Sequence, residues 1–242
     1  NADSMQLYAD LSILTARPSK ADMQDIPHHL YGVLDGGHRA SVVAWLELAA
    51  TAMTAIRARG KMPIIIGGTG MYLGAAVNGI APIPDVPATI HQDCMALFDA
   101  IGGAEFRQKL ARHDPLVASR LADGDRQRLI RAMAVFNATG LALGQFPKAE
   151  HAGALIGRPV KVAMLPPRDV LYARIDARFD VMLEQGAVDE VRRLINRHLD
   201  PSLPLMKALG VTALKAVLEQ EMTVGEAAYL AKRDSRHYAK RQ

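Results

Sequence analysis

Apolar positions along this chain follow two rhythms, and the switches between them organise it. Ile64-Ile65-Ile66 is a continuous apolar run behind Pro63, closed by Gly67-Gly68-Thr69-Gly70. A second run, Val160-Lys161-Val162-Ala163-Met164-Leu165, closes at Pro166-Pro167. Short apolar runs between turn residues predict strands buried on both faces, as in a parallel sheet. His28 to Asp35 reads as a further short strand ending at Gly36-Gly37, and residues 1–8 as a strand end passing into a loop. Residues 18–27 are loop-like with room for one short helix.

Elsewhere the rhythm is helical. Ser41 caps a long helix whose buried face is Val42, Trp45, Leu46, Leu48, Ala49, Met53 and Ile56, with Gly60 as its stop. A helix follows Gly70. Strand, helix, strand, tight turn, helix is the grammar of a doubly wound sheet with right-handed crossovers. The grammar changes after Gly79. Pro82, Pro84 and Pro87 form a stiff connector, and residues 88–138 read as helix, with breaks at Gly102-Gly103 and Asp114-Pro115. Residues 148–157 are a polar linker. Helices then cover 168–185, 188–199 and the last segment, which Thr223 and Glu226 open as a capping box. The expected architecture is α/β: a parallel sheet with flanking helices from residues 1–80 and 158–242, interrupted by a helical insertion, 81–147.

Composition adds limits. At 242 residues the chain can bury a sizeable core, and 50% hydrophobic with 22% charged residues is ordinary for a globular protein. One cysteine, Cys94, excludes an internal disulfide and fits a reducing, cytoplasmic compartment. The longest apolar run, 42–56, is broken by Glu47 and too short for a bilayer. Adjacent His28 and His29 face opposite ways on a strand and cannot share a metal. The net charge of +4 matches the last twelve residues, where Lys232, Arg233, Arg236, Lys240 and Arg241 face Asp234 alone. Such an end fits an anionic partner, or a solvated helix terminus.

Candidate chemistry gathers at the carboxyl edge of the expected sheet, where open α/β folds bind ligands. Gly67-Gly68-Thr69-Gly70 offers backbone N–H groups and one hydroxyl there, and the first guess is a phosphate or base site; a plain tight turn is the alternative. Asp3, Ser4 and Gln6 stand at a second strand end. Arg128 and Arg131 share a helix face beside Gln127 and could hold phosphate, or Arg128 could pair with Asp125. Arg174 and Arg178 could neutralise a leaving phosphate, or pair with Asp176 and Asp180. Residues alone reach a nucleotide- or phosphate-handling protein and no reaction.

Six ordered segments carry the reading further. Asn1-Ala2-Asp3-Ser4-Met5-Gln6-Leu7-Tyr8, Pro27-His28-His29-Leu30, Gly67-Gly68-Thr69-Gly70-Met71-Tyr72, Asp125-Arg126-Gln127-Arg128-Leu129-Ile130-Arg131-Ala132, Leu203-Pro204-Leu205-Met206-Lys207-Ala208-Leu209-Gly210 and Tyr238-Ala239-Lys240-Arg241-Gln242 resemble the signature segments of the tRNA dimethylallyltransferases. The resemblance implies a fold related to P-loop nucleotide-binding (ATP-binding) kinases and a monomer acting in tRNA modification, away from membranes. The reaction moves a dimethylallyl group from dimethylallyl diphosphate, with Mg²⁺, to the exocyclic amine of an adenosine 3′ of the tRNA anticodon. By resemblance Asp3 accepts a hydrogen bond or proton from that amine, and Ser4, Met5 and Gln6 lie beside the flipped-out base. Thr69 touches the substrate. Gln127, Arg128, Leu129, Ile130 and Arg131 contact the anticodon stem-loop, as does His91, where many members carry arginine. Arg178 stabilises the departing diphosphate.

Two departures qualify the resemblance. The Walker-type loop, Gly-x-Thr-x-x-Gly-Lys-Ser/Thr, that holds the diphosphate in the family does not occur in these residues, and Val211 stands where tyrosine is common. Residues 1–242 are therefore expected to be a fragment whose ends look cut, inactive as a bare polypeptide and with the Mg²⁺ ligands elsewhere. The alternatives are a non-catalytic RNA-binding remnant and a P-loop small-molecule kinase, against which the helical insertion argues.

Overall fold

The computed structural model describes residues 1–146, 154–155 and 159–241, so most of the expected linker, 148–157, lies outside the described residues. The chain forms two compact units, one of Asn1–Val77 with Ala154–Gln242, the other of Asn78–Gly153.

In the first unit, α1 (Lys20–Met23) is a single turn closed by a Ser19–Asp22 capping box. Helix α2 (Val42–Ala58) starts at Ser41, whose hydroxyl accepts the Ala44 N–H, and buries Val42, Trp45, Leu46, Ala49 and Met53. Helix α3 (Gly70–Asn78) follows the glycine turn and buries Tyr72, Ala75 and Ala76. Trp45 stacks on Tyr72 with ring centroids 4.6 Å apart, which seats α2 against α3. In the second unit, α4 (Ala88–Ala111) bends at Gly102, where φ is 76°. A side chain at Gly103 would strike the Asp123 carbonyl at 1.9 Å, so the expected break at Gly102-Gly103 joins a left-handed φ to a close backbone approach. Helix α5 (Pro115–Ala118) is capped by Asp114, and α6 (Arg126–Thr139) ends at left-handed Gly140. Phe106, Leu110, Leu129, Ile130 and Met133 form this unit's core.

The first unit resumes with α7 (Arg168–Glu184), α8 (Ala187–Ile195), α9 (Val211–Leu218) and α10 (Val224–Arg241). Their inner faces join Tyr8 and Leu11 in one core with Phe179, Val191, Leu205 and Leu214. Thr223 and Glu226 bond reciprocally at 2.8 Å and 3.3 Å, as the capping pattern requires. Glu190, a buried carboxylate on α8, accepts from Ser12 N, Ser12 Oγ, Ile13 N and Leu14 N at 2.7–3.0 Å. It therefore anchors the 12–14 turn to the helical layer.

The expected parallel sheet does not form among the described residues. Among the described residues the only bridge is the isolated parallel pair Tyr8–Leu34, and no strand ladder forms. Residues 61–66 and 159–165 carry no regular secondary structure, and Ile64 and Ile66 are 71% and 61% exposed, with Val160, Val162, Met164 and Leu165 between 85% and 93%. A buried parallel strand needs neighbours along both edges and cover on both faces. Among the described residues, the backbone partner of Ile66 is the Ala2 N–H, which donates to its carbonyl at 2.7 Å.

Candidate active site

The glycine turn and the chain start meet in one corner. Thr69 N donates to the Ala2 carbonyl at 3.1 Å, closing the contact that Ala2 and Ile66 open. A Cβ on Gly67 would lie 2.3 Å from the Ala2 carbonyl carbon, so the glycine lets two backbone segments touch. That role replaces the phosphate cradle first considered for this turn. Across the same contact, Thr69 Oγ1 accepts the Ser4 N–H at 3.0 Å and donates to Ser4 Oγ at 3.4 Å.

Asp3 is held at both ends. Asn1 Oδ1 accepts the Asp3 N–H at 2.9 Å, while Asn1 Nδ2 donates to the Asp3 carbonyl at 3.0 Å and to the Leu30 carbonyl at 2.8 Å. The Asn1 carbonyl accepts the indole N–H of Trp45 at 2.8 Å, so Trp45 packing reaches Asp3 through one residue. Asp3 Oδ1 accepts the Met5 and Gln6 N–H groups at 2.8 Å and 3.3 Å, which caps the 3–6 turn. Oδ2 has no hydrogen-bond donor among the described residues. The carboxylate is half-buried, oriented by one oxygen, with the other open to a ligand. Two phenols register its charge. Tyr72 is pushed up to about 12, chiefly by burial and then by the charges of Tyr8 and Asp3; Tyr31 is raised by burial and by Asp3. Nearby, His29 carries a buried Nε2 with no hydrogen-bond partner.

The other expected residues divide. Gln6 spends its side-chain amide on the Thr15 and Ala16 carbonyls, at 2.9 Å and 3.1 Å, so its side chain braces a loop. Met5 packs against the core of the first unit. Arg178 and Arg174 are exposed on α7 with no ion pair among the described residues, because Asp176 and Asp180 take Arg236 (2.5 Å) and Lys232 (2.6 Å) from α10. Lys232 and Arg236 of the basic end are thereby paired inside the fold. No hydrogen bond or ion pair joins Arg178 to Asp3 or Thr69.

In the second unit, Gln127, Arg128 and Arg131 are exposed on α6, and His91 on the first turn of α4. Leu129 and Ile130 are buried at 0% and 2% exposure, which removes their side chains from the expected RNA contact. The Asp125–Arg128 pair forms at 3.4 Å, and Arg131 has no acidic partner among the described residues. Arg126 turns away, gripping Asp99 through two nitrogens and lying over the Phe98 ring. Sequence reasoning missed Asn1 and Trp45 as supports of Asp3; an asparagine two residues before an aspartate was the available signal.

The fold is shared with solved tRNA isopentenylpyrophosphate transferases. The full-length tRNA isopentenylpyrophosphate transferase of Bacillus halodurans matches with a TM-score of 0.63 and 31% identity, over 99% of this chain and 75% of that one. A eukaryotic dimethylallyltransferase captured acting on tRNA shares the fold at a TM-score of 0.76 and 22% identity, over 100% of this chain and 61% of that one. In sequence, the tRNA dimethylallyltransferase of Hyphomonas neptunium is 47% identical across 100% of the chain and 77% of its own length. That of Phenylobacterium zucineum is 47% identical over 100% and 78%. The IPP transferase family model matches residues 6–242, and the chain belongs to that family.

Proposed function

We propose that this chain transfers a dimethylallyl group from dimethylallyl diphosphate to the exocyclic amine of the adenosine 3′ of a tRNA anticodon, as a cytoplasmic monomer. The observation that carries the reading is the corner at Asp3, where a braced carboxylate keeps Oδ2 open in a chain of this family. The adenine N–H donates to Asp3 Oδ2, which raises electron density on nitrogen. Nitrogen attacks the allylic carbon, the carbon–oxygen bond to diphosphate breaks with its electron pair, and the amine proton leaves towards Asp3. Thr69 and Ser4 line the base side. Unpaired Arg178 meets the charge that develops on the diphosphate. In the helical unit, Gln127, Arg128, Arg131 and His91 contact the RNA.

Magnesium would add positive charge beside a diphosphate. Among the described residues no cluster of three or more His, Cys, Asp or Glu groups that could hold a cation is present. The steps above use no metal.

The test is nucleoside analysis of an anticodon stem-loop RNA incubated with dimethylallyl diphosphate and the protein. Prenylated adenosine is expected. Stem-loop binding without any prenylated product would overturn the proposal.

A further inference from the structure

We propose that a cleft of the helical unit, between α5, the start of α6 and the Leu143–Gln145 turn, holds one unstacked nucleotide of the RNA, with Arg120 as a phosphate ligand. The inference rests on the RNA reading above.

The cleft has a volume of about 450 Å³, within the range of ligand pockets. Val117, Leu121 and Leu143 supply its apolar floor, and Arg120, Arg128 and Arg131 its rim. The walls are braced from beneath by buried Asp114. Its Oδ1 accepts the Val117 N–H at 3.1 Å and its Oδ2 the Leu143 N–H at 2.9 Å, which joins α5 to the turn opposite. The floor is therefore built before any ligand arrives, which lowers the ordering cost of binding.

Charge selects the occupant. No acidic residue lines the cleft. Arg128 is shared with Asp125, but Arg120 and Arg131 have no ion pair among the described residues and are exposed. Two unmatched guanidiniums above an aliphatic floor fit a ligand with a flat apolar face joined to an anion. A single nucleotide is such a ligand, its base against the leucines and its phosphate between the arginines. Gln127, also on the lining, carries both a donor and an acceptor for a base edge. A paired duplex presents no free base face to such a floor. This nucleotide is additional to the adenosine assigned to Asp3.

The experiment is fluorescence anisotropy of a labelled anticodon stem-loop with the 242-residue chain, across a salt series, beside a hairpin of equal stem length with a minimal loop. Arg120→Gln is expected to weaken stem-loop binding about 5- to 10-fold and to lower the salt slope by roughly one phosphate contact. Arg120→Lys restores part of both. A 2-aminopurine placed in turn at each loop position should report an environment change at one position that Arg120→Gln abolishes. Unchanged affinity and slope in Arg120→Gln would overturn the cleft and leave the RNA reading standing. Equal binding of the minimal-loop hairpin, or equal displacement by polyglutamate, would overturn the nucleotide as occupant. No stem-loop binding by the unaltered chain at low salt would overturn both. Arg120 is exposed, so an unaltered melting temperature in the variant confirms that folding is not the cause.

Discussion

At Asp3 two duties fall on one carboxylate. Oδ1 caps the 3–6 turn, and only Oδ2 is open for the reaction. Asp3→Asn keeps an oxygen for the cap while removing the charge, so it separates chemistry from architecture better than Asp3→Ala. Asp3→Asn is expected to lower kcat by at least roughly 100-fold with stem-loop affinity nearly unchanged, read from initial rates and anisotropy. Activity near the unaltered level would remove Asp3 from its assigned role. Tyr72 allows a prediction in pH. Its folded pKa, raised to about 12 from the ordinary 10.0, means that the folded state favours the neutral phenol. The stability it contributes is complete below pH 10 and is lost as pH rises towards 12. Tyr72→Phe should flatten that decline in urea melts; an identical decline would assign it elsewhere.

Among the elements, the most exposed to single substitutions is the contact between α8 and the 12–14 turn. Removing Glu190 leaves three backbone N–H groups and one hydroxyl without their acceptor inside the fold. Glu190→Ala should cost about 3 kcal/mol in urea unfolding, and a loss under 1 kcal/mol would show that water replaces the carboxylate at little cost. Helices were legible because each carries its own signals: Ser41 and Gly60 around α2, Gly140 behind α6, Thr223 with Glu226 before α10. Their ion pairs were not. Asp176 and Asp180 choose Arg236 and Lys232 on another helix over the arginines of α7, and local spacing holds no trace of a partner roughly 50–60 residues away.

For the molecule as a whole, the telling feature is apolar surface on residues 61–66 and 159–165, which carry no regular secondary structure. Exposed apolar stretches of this kind bind partners or aggregate. The double variant Ile64→Ser, Val162→Ser is expected to bind less of a dye specific for exposed apolar surface than the unaltered chain; equal dye fluorescence would place that surface elsewhere.

By itself the sequence determined most of the helices and the family, because caps, glycine stops, apolar stripes and ordered motifs are local. It marked Asp3 and Thr69 for the same reason. Only the tertiary structure decided that Gly67 serves backbone contact, that Gln6 braces a loop, that Leu129 and Ile130 are core, and that Arg178 and Arg120 stay free of acids. Those outcomes depend on which distant group arrives first at a carboxylate or a surface, and whether a run of isoleucines becomes a buried strand depends on what lies beside it.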